Sequence, residues 1–200
     1  AGRLNQVVSE MQEAIMQTRM QPVGNVFQRF PRLVRDLSQK LSKKCRLVQE
    51  GKEVELDRSI LEALGDPLTH LVRNSIDHGI EMPSVRVQNG KQAEGTLQLQ
   101  AFHQGGNVKI LVIDDGAGID PERLKKKALE RGLYSAEKLK EMSDREAVHL
   151  IFAPGFSTAE KVTDVSGRGV GMDVVRSNIE RLGGNVEVQT VLGKGTTMVI

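Results

Sequence analysis

Apolar residues recur along this chain in two rhythms, and the switches between them mark out its elements. Leu4, Val8, Met11, Ile15 and Thr18 alternate in steps of four and three, with Val7 and Ala14 alongside. That pattern predicts a helix with a narrow apolar seam, suited to packing on another helix. Pro22 and Gly24 interrupt it and predict a hinge. A second helical stripe over 26–42 consists of Val26, Phe27, Phe30, Leu33, Val34, Leu37 and Leu41, with Pro31 as a kink or restart. Residues 46–50 alternate as a strand does until Gly51, and 56–64 form a short helix. Residues 66–81, DPLTHLVRNSIDHGIE, predict another helix, with Asp66 as its cap, Pro67 in its first turn and Gly79 as its stop.

Further on, a polar connection runs to about residue 94 and leads into strands at 96–103 and 108–114. Gln104-Gly105-Gly106-Asn107 joins them as a hairpin turn. Residues 121–131 and 144–152 are helical in pattern, whereas 153–169 show no periodicity. A long structureless stretch inside a compact domain is functional or disordered. A helix at 171–182 stops at Gly183-Gly184, and 185–191 with 196–200 make a second hairpin over Leu192-Gly193-Lys194-Gly195. This order predicts an α+β fold: a two-layer sandwich, its mixed sheet covered by helices on one face, preceded by the N-terminal helix.

Three places carry candidate chemistry. On the 66–81 helix, His70, Asn74, Asp77 and His78 fall at i, i+4, i+7 and i+8 and share a face, opposite Leu68, Leu71, Val72 and Ile76. Surface helices usually turn long solvated side chains to water. These short groups suit metal or phosphate work, and a polar outer face with incidental histidines is the alternative. Asp114-Asp115-Gly116-Ala117-Gly118 puts a carboxylate at a strand end, followed by two glycines. Such a carboxylate can accept from an exocyclic amine while glycines admit a flat ring, or the segment is a plain turn. Gly167-Arg168-Gly169-Val170-Gly171 opens the helix at 171, where backbone N–H groups can face an anion. Its spacing is GxGxG after a loop, so it is not the dinucleotide fingerprint, and no GxxxxGK[ST] occurs anywhere. Gly193-Lys194-Gly195-Thr196, taken alone, is an ordinary hairpin turn.

Composition narrows the field. A hydrophobic content of 38% over 200 residues supports one sizeable core with a small appendage. Net charge is +2, from 28 basic and 26 acidic residues with no basic block, which argues against nucleic acid as a partner. Cys45 is the sole cysteine, so no intrachain disulfide forms, and a reducing, cytoplasmic location is expected. No apolar run approaches a membrane span, and no signal-peptide pattern opens the chain. Beginning at Ala1 and ending within the apolar run Met198-Val199-Ile200, the sequence reads as a fragment with its last strand cut short. His103 is expected at the surface and His149 in packing, while Cys45 lacks a nearby histidine for catalysis.

Taken in order, the motifs match a known pattern. His70xxxAsn74xxAsp77-His78-Gly79, Asp114xGly116xGly118, residues 152–158 with Gly167xGly169xGly171, and Gly193xGly195-Thr196 resemble the ATP-binding arrangement of the gyrase, Hsp90, histidine kinase and MutL superfamily. HLVRNSIDHGIE, IDDGAGID, PGFSTAEKVTDVSGRGVGMDVV and GKGT are similar, more narrowly, to chemotaxis histidine kinases of the CheA type. TRMQPVGNVFQRFPRLVRDL resembles that family's junction between dimerisation helices and kinase domain. The resemblance implies a Bergerat-type ATP-binding fold over 23–200, with 1–22 ending a dimerisation hairpin.

It also implies roles for individual residues. Asp114 reads the adenine amino group, with Gly116, Gly118, Ile119 and Thr196 nearby. Asn74 ligates Mg²⁺, while His70 and His78 flank the phosphates and complete the catalytic set; Arg73 and Asp77 line the same helix. Arg123 and Lys127 reach the phosphates or simply belong to a solvated face. Ser157, Thr158, Gly167, Arg168, Gly169, Val170, Gly171 and Met172 form the nucleotide lid, although Ala159 stands where some relatives carry a basic residue. The implied activity is transfer of the ATP γ-phosphoryl group to a histidine on a separate phosphotransfer domain. A response regulator, a coupling protein and a chemoreceptor are the further partners, with no nucleic acid and no membrane insertion. The full-length protein is expected to be a homodimer and this fragment a monomer. The rival expectation, a gyrase- or MutL-like ATPase switch, needs a carboxylate base where His70 stands.

Overall fold

The computed structural model describes residues 5–8, 11, 19–156 and 171–200. Most of the apolar seam at 4–18 lies outside them. Residues 5–8 and 11 are helical, and Val7, Val8 and Met11 are exposed.

The first strand, β1 (Met20–Pro22), pairs antiparallel with β3 (Glu55–Asp57). Val23 N–H then donates to Val54 O at 2.8 Å and Gly24 N–H to Lys52 O at 2.9 Å. The expected hinge at Pro22–Gly24 is therefore a tied corner, and Gly24 begins α1 (Gly24–Phe27). Pro31 sits in the first turn of α2 (Phe30–Lys40), where its missing N–H is harmless, so the helix restarts there and does not kink. Strand β2 (Cys45–Glu50) follows, as its alternation predicts.

The separate helices expected at 56–64 and 66–81 are one. Helix α3 (Arg58–Asn74) is capped by Asp57, which accepts from Ser59 N–H at 2.8 Å, and runs straight through Pro67. A proline in a helix interior costs roughly 3 kcal/mol. Leu61, Leu64, Leu68, Leu71 and Val72 are all buried along this helix. At roughly 1.5–3 kcal/mol each, that stripe outweighs the proline, so Asp66 never acts as a cap. The helix ends in a π turn, Ser75–Gly79, closed by Ile80 N–H on Ser75 O at 2.7 Å.

The polar connection after residue 81 contains a further short helix, α4 (Pro83–Gln88). Strands β4 (Gly95–Gln104) and β5 (Asn107–Asp114) form the expected hairpin. Helices α5 (Pro121–Glu130), α6 (Ala136–Glu141) and α7 (Asp144–Val148) come next, then a 3₁₀ turn His149–Phe152. Of these, α6 escapes the periodicity because it is only six residues long. Helix α8 (Met172–Arg181) and the hairpin of β6 (Glu187–Val191) with β7 (Gly195–Val199) complete the chain.

The main sheet has the order β2-β4-β5-β7-β6, with β2 and β4 parallel and the remaining pairs antiparallel, so it is mixed as expected. Leu97, Leu99 and Ala101 of β4 and Ile110 and Val112 of β5 turn one face into a core shared with α1, α2, α3 and α8. A satellite cluster of Ala128, Leu139, Ala147, Leu150 and Phe156 sits under α5, α6 and α7. No helix among the described residues is long and apolar enough to cross a membrane.

Candidate functional site

Side chains alternate along a strand, so Asp114 shares the inward row of β5 with Ile110 and Val112. A carboxylate thus occupies the last core position, only 6% exposed. Burial pushes its pKa up to about 6, against the pull of hydrogen bonds from Gly116 N–H, the Ser75 side chain and the Thr196 backbone. Ser75 belongs to the π turn, and Thr196 is the residue of β7 paired with Asp114.

Close backbone approach explains the glycines around this carboxylate. A Cβ on Gly79 would lie 3.0 Å from both Asp114 carboxylate oxygens. One on Gly116 would lie 2.1 Å from the Gly79 carbonyl oxygen, which accepts from Ala117 N–H at 2.9 Å. Gly118 adopts φ +72°, and a Cβ there would meet Val191 O at 2.4 Å. Gly193 N–H donates to Ala117 O at 2.7 Å, which draws the β6–β7 turn against the Asp114 loop. Ile119 N–H donates to Thr190 Oγ1 at 2.9 Å, and Thr190 Oγ1 lies 3.0 Å from Thr196 Oγ1. The first and last glycine motifs are therefore in direct contact with the Asp114 loop.

The last turn of α3 meets the start of α8: Asn74 Nδ2 lies 3.2 Å from Met172 Sδ. A thioether is a weak acceptor, so this contact constrains the amide only loosely. His70 is half-buried, and its pKa is lowered by burial first, then by the charges of Arg73 and His78. Both effects favour the neutral imidazole. Asp77 and His78 are exposed, with Asp77 Oδ2 3.9 Å from His78 Nε2. The π turn that carries them is held by Lys43, whose Nζ donates to Ile76 O at 2.8 Å and Asp77 O at 2.6 Å.

Other expected residues stand as follows. Arg123 is exposed and Lys127 half-buried, one turn apart on α5, while neighbouring Lys125 is engaged by Glu122 at 2.8 Å. Gly171 caps α8. Ser157, Thr158, Gly167, Arg168, Gly169 and Val170 lie outside the described residues. His103 is exposed, as expected. His149 is exposed as well, so the expected packing role is wrong: its turn buries Leu150 and Phe152 and leaves the imidazole outside, 6.1 Å from the Phe152 ring. Cys45 is half-buried, and burial pushes its thiol up to about 12, well away from a nucleophilic thiolate.

Sequence reasoning missed Lys43, Thr190 and an ionic cluster of Glu81, Arg86, Lys91 and Asp115. For the cluster, a signal was available: two cations spaced within the polar connection, bracketed by Glu81 and an acidic residue next to Asp114.

Residues 63–200 match the family model for histidine kinase-, DNA gyrase B- and HSP90-like ATPases. The chain belongs to this family. It is 56% identical, over 98% of its own length, to the chemotaxis protein CheA of Salmonella typhimurium. It is 54% identical, over 97% of its length, to the sensor histidine kinase CheAY of Helicobacter pylori. The chain spans 29% and 25% of those two relatives. Among solved structures, the mycobacterial sensor histidine kinase MprB aligns over 90% of this chain and 93% of its own, with a TM-score of 0.50 at 16% identity. That likeness supports the fold. Within the family frame, the buried Asp114 and the glycines packed around it are the candidate floor of an ATPase-type site.

Proposed function

We propose that this chain is the ATP-binding catalytic domain of a chemotaxis kinase of the CheA type, phosphorylating a histidine on a separate domain. The observation that carries the proposal is Asp114: a buried carboxylate, held by backbone donors, in a floor made of glycines. Such a group accepts from the amino edge of adenine, and Gly79, Gly116 and Gly118 let the backbone of the surrounding turns close in around it. The Asn74 side chain offers a hard amide oxygen, which suits Mg²⁺ brought in with ATP, since that ion takes few protein ligands beside phosphate and water. Among the described residues no cluster of three His, Cys, Asp or Glu side chains could cage a metal. When bound, Mg²⁺ supplies charge neutralisation on the phosphates.

In this reading His70, half-buried with a lowered pKa, and exposed His78 flank the phosphates, and Arg73, Asp77, Arg123 and Lys127 complete their surroundings. The start of α8, with Gly171 and Met172, meets Asn74 and would offer its free helix N–H groups to an anion there. Ser157, Thr158 and 167–170 supply the lid. In the transfer, the bond from γ-phosphorus to the bridging oxygen breaks and a bond to the acceptor imidazole nitrogen forms. ADP leaves, and the imidazole gives up its proton. Catalysis by this chain rests on positioning and electrostatics.

The remainder of the proposal follows from the CheA relatives. The partners are a histidine-containing phosphotransfer domain, a response regulator, and a coupling protein with its chemoreceptor. The setting is the cytoplasm, and the N-terminal helix forms a homodimer in the full-length protein. Incubation of the chain with labelled ATP, Mg²⁺ and a phosphotransfer domain should label a histidine of that domain. ATP hydrolysis without labelled acceptor would instead favour an ATPase switch.

A further inference from the structure

Next to Asp114 lies a balanced set of four charges: Glu81, Arg86, Lys91 and Asp115. Arg86 is only 2% exposed and makes ion pairs with Glu81 at 2.9 Å and with Asp115 Oδ2 at 3.1 Å. Its Nε donates to Gln92 O at 2.8 Å, which ties the guanidinium to the loop after α4. Lys91 Nζ donates to Glu81 Oε1 at 2.7 Å. Burial opposes ionisation of Glu81, but hydrogen bonds from Lys91, from its own backbone and from Arg86 more than offset this and hold its carboxyl below the usual range.

These cations also reach the backbone. Arg86 Nη1 and Lys91 Nζ both donate to Asp115 O at 3.0 Å, and Lys91 Nζ donates to Gly116 O at 2.7 Å. A trans peptide group is planar, with its carbonyl and N–H pointing in opposite directions. Fixing Asp115 O therefore fixes Gly116 N–H, which donates to Asp114 Oδ1 at 3.0 Å. Fixing Gly116 O likewise fixes Ala117 N–H, which donates to Gly79 O at 2.9 Å. Glycine at 116 has no side chain to restrain these planes, so the two cations reinforce the backbone hydrogen bonds there. Thr96 N–H on Asp115 Oδ1 at 2.9 Å anchors the same loop from β4.

We infer that Lys91 and Arg86 are positioning residues for nucleotide binding, orienting the peptide groups on both sides of Gly116 and thereby setting the preference of Asp114 for an adenine amino group. This rests on the adenine reading of Asp114. Neither cation meets the nucleotide in this role. Each acts through a carbonyl, and the effect appears where Asp114 discriminates.

The test compares ADP with IDP, whose base carries an oxygen in place of the amino group. Lys91→Met is the variant of choice, because Arg86 still pairs with Glu81. Calorimetry on the folded variant should show ADP binding weakened about tenfold, the loss of roughly one oriented hydrogen bond. IDP binding should stay within about threefold, so the preference for ADP collapses. Lys91→Arg, which keeps a donor and the charge, should recover most of it. If Lys91→Met fails to fold, Lys91→Gln takes its place in the same comparison. Equal weakening of both nucleotides would mean a general structural role and overturn the inference, as would an unchanged preference. A wild-type chain that binds both nucleotides equally would instead overturn the adenine reading itself.

Discussion

Replacing Asp114 by asparagine should stabilise the empty protein while weakening nucleotide binding. In the folded state burial raises the carboxyl from its ordinary 3.8 to about 6. A raised acid pKa means that ionisation opposes folding. The penalty is absent below pH 3.8, grows between there and pH 6, and is constant above. About two units at 1.36 kcal/mol each give roughly 3 kcal/mol at pH 7.5. Asparagine resembles the protonated acid: one oxygen still accepts from Gly116 N–H, but its NH₂ faces the remaining donors, which removes roughly 1 kcal/mol or more. A net gain of about 1–2 kcal/mol remains, a rise in Tm of roughly 2–8 °C for a chain of this size. At pH 4 the gain should vanish. For nucleotide the sign reverses, because losing a charged acceptor costs about 1.5–3 kcal/mol, or roughly 10- to 150-fold in Kd. Thermal melts at the two pH values, with calorimetric titration of ADP, measure both effects. A variant less stable than wild type at pH 7.5 would refute the burial argument, and unchanged affinity in a folded variant would refute the adenine assignment.

Three further outcomes are expected. Wild-type affinity for ADP should fall as pH drops below about 6, by up to tenfold per unit, since the free Asp114 carboxyl must first release its proton. The Asp114→Asn variant should show a flat profile by the same titration. Asn74→Ala should remove the Mg²⁺ dependence of nucleotide binding and abolish phosphotransfer; turnover near the wild-type rate in a labelled-ATP assay would exclude Asn74 as the metal ligand. The chain alone should acquire no acid-labile, base-stable phosphohistidine, because His70, His78, His103 and His149 are followed by Leu71, Gly79, Gln104 and Leu150, never by an acidic residue. Stable label on the chain itself would contradict the proposed division between kinase and acceptor domains.

The sequence by itself marked out the strands of the main sheet, the glycine motifs and the candidates Asp114 and Asn74, since each rests on local information, whereas the short pair β1 and β3 was missed because three residues are too few to show an alternation. Period-two alternation places Asp114 on the core side of β5, and turn residues announce the β4–β5 and β6–β7 hairpins. Helix ends were less legible. Pro67 reads as a start by local preference, yet burial of Leu61, Leu64, Leu68, Leu71 and Val72 carries α3 straight through it. The π turn at Ser75–Gly79 was equally hidden, because one extra residue in a helical turn leaves no mark on composition. Only tertiary structure could show that Lys43 holds that turn from 33 positions away, or that Arg86 and Lys91 grip the loop after Asp114 across 29 and 24 positions. Charged residues look alike in a sequence whether they face water or a carbonyl. What separates them is burial and reach across the fold, and both are properties of packed elements, which no single segment possesses.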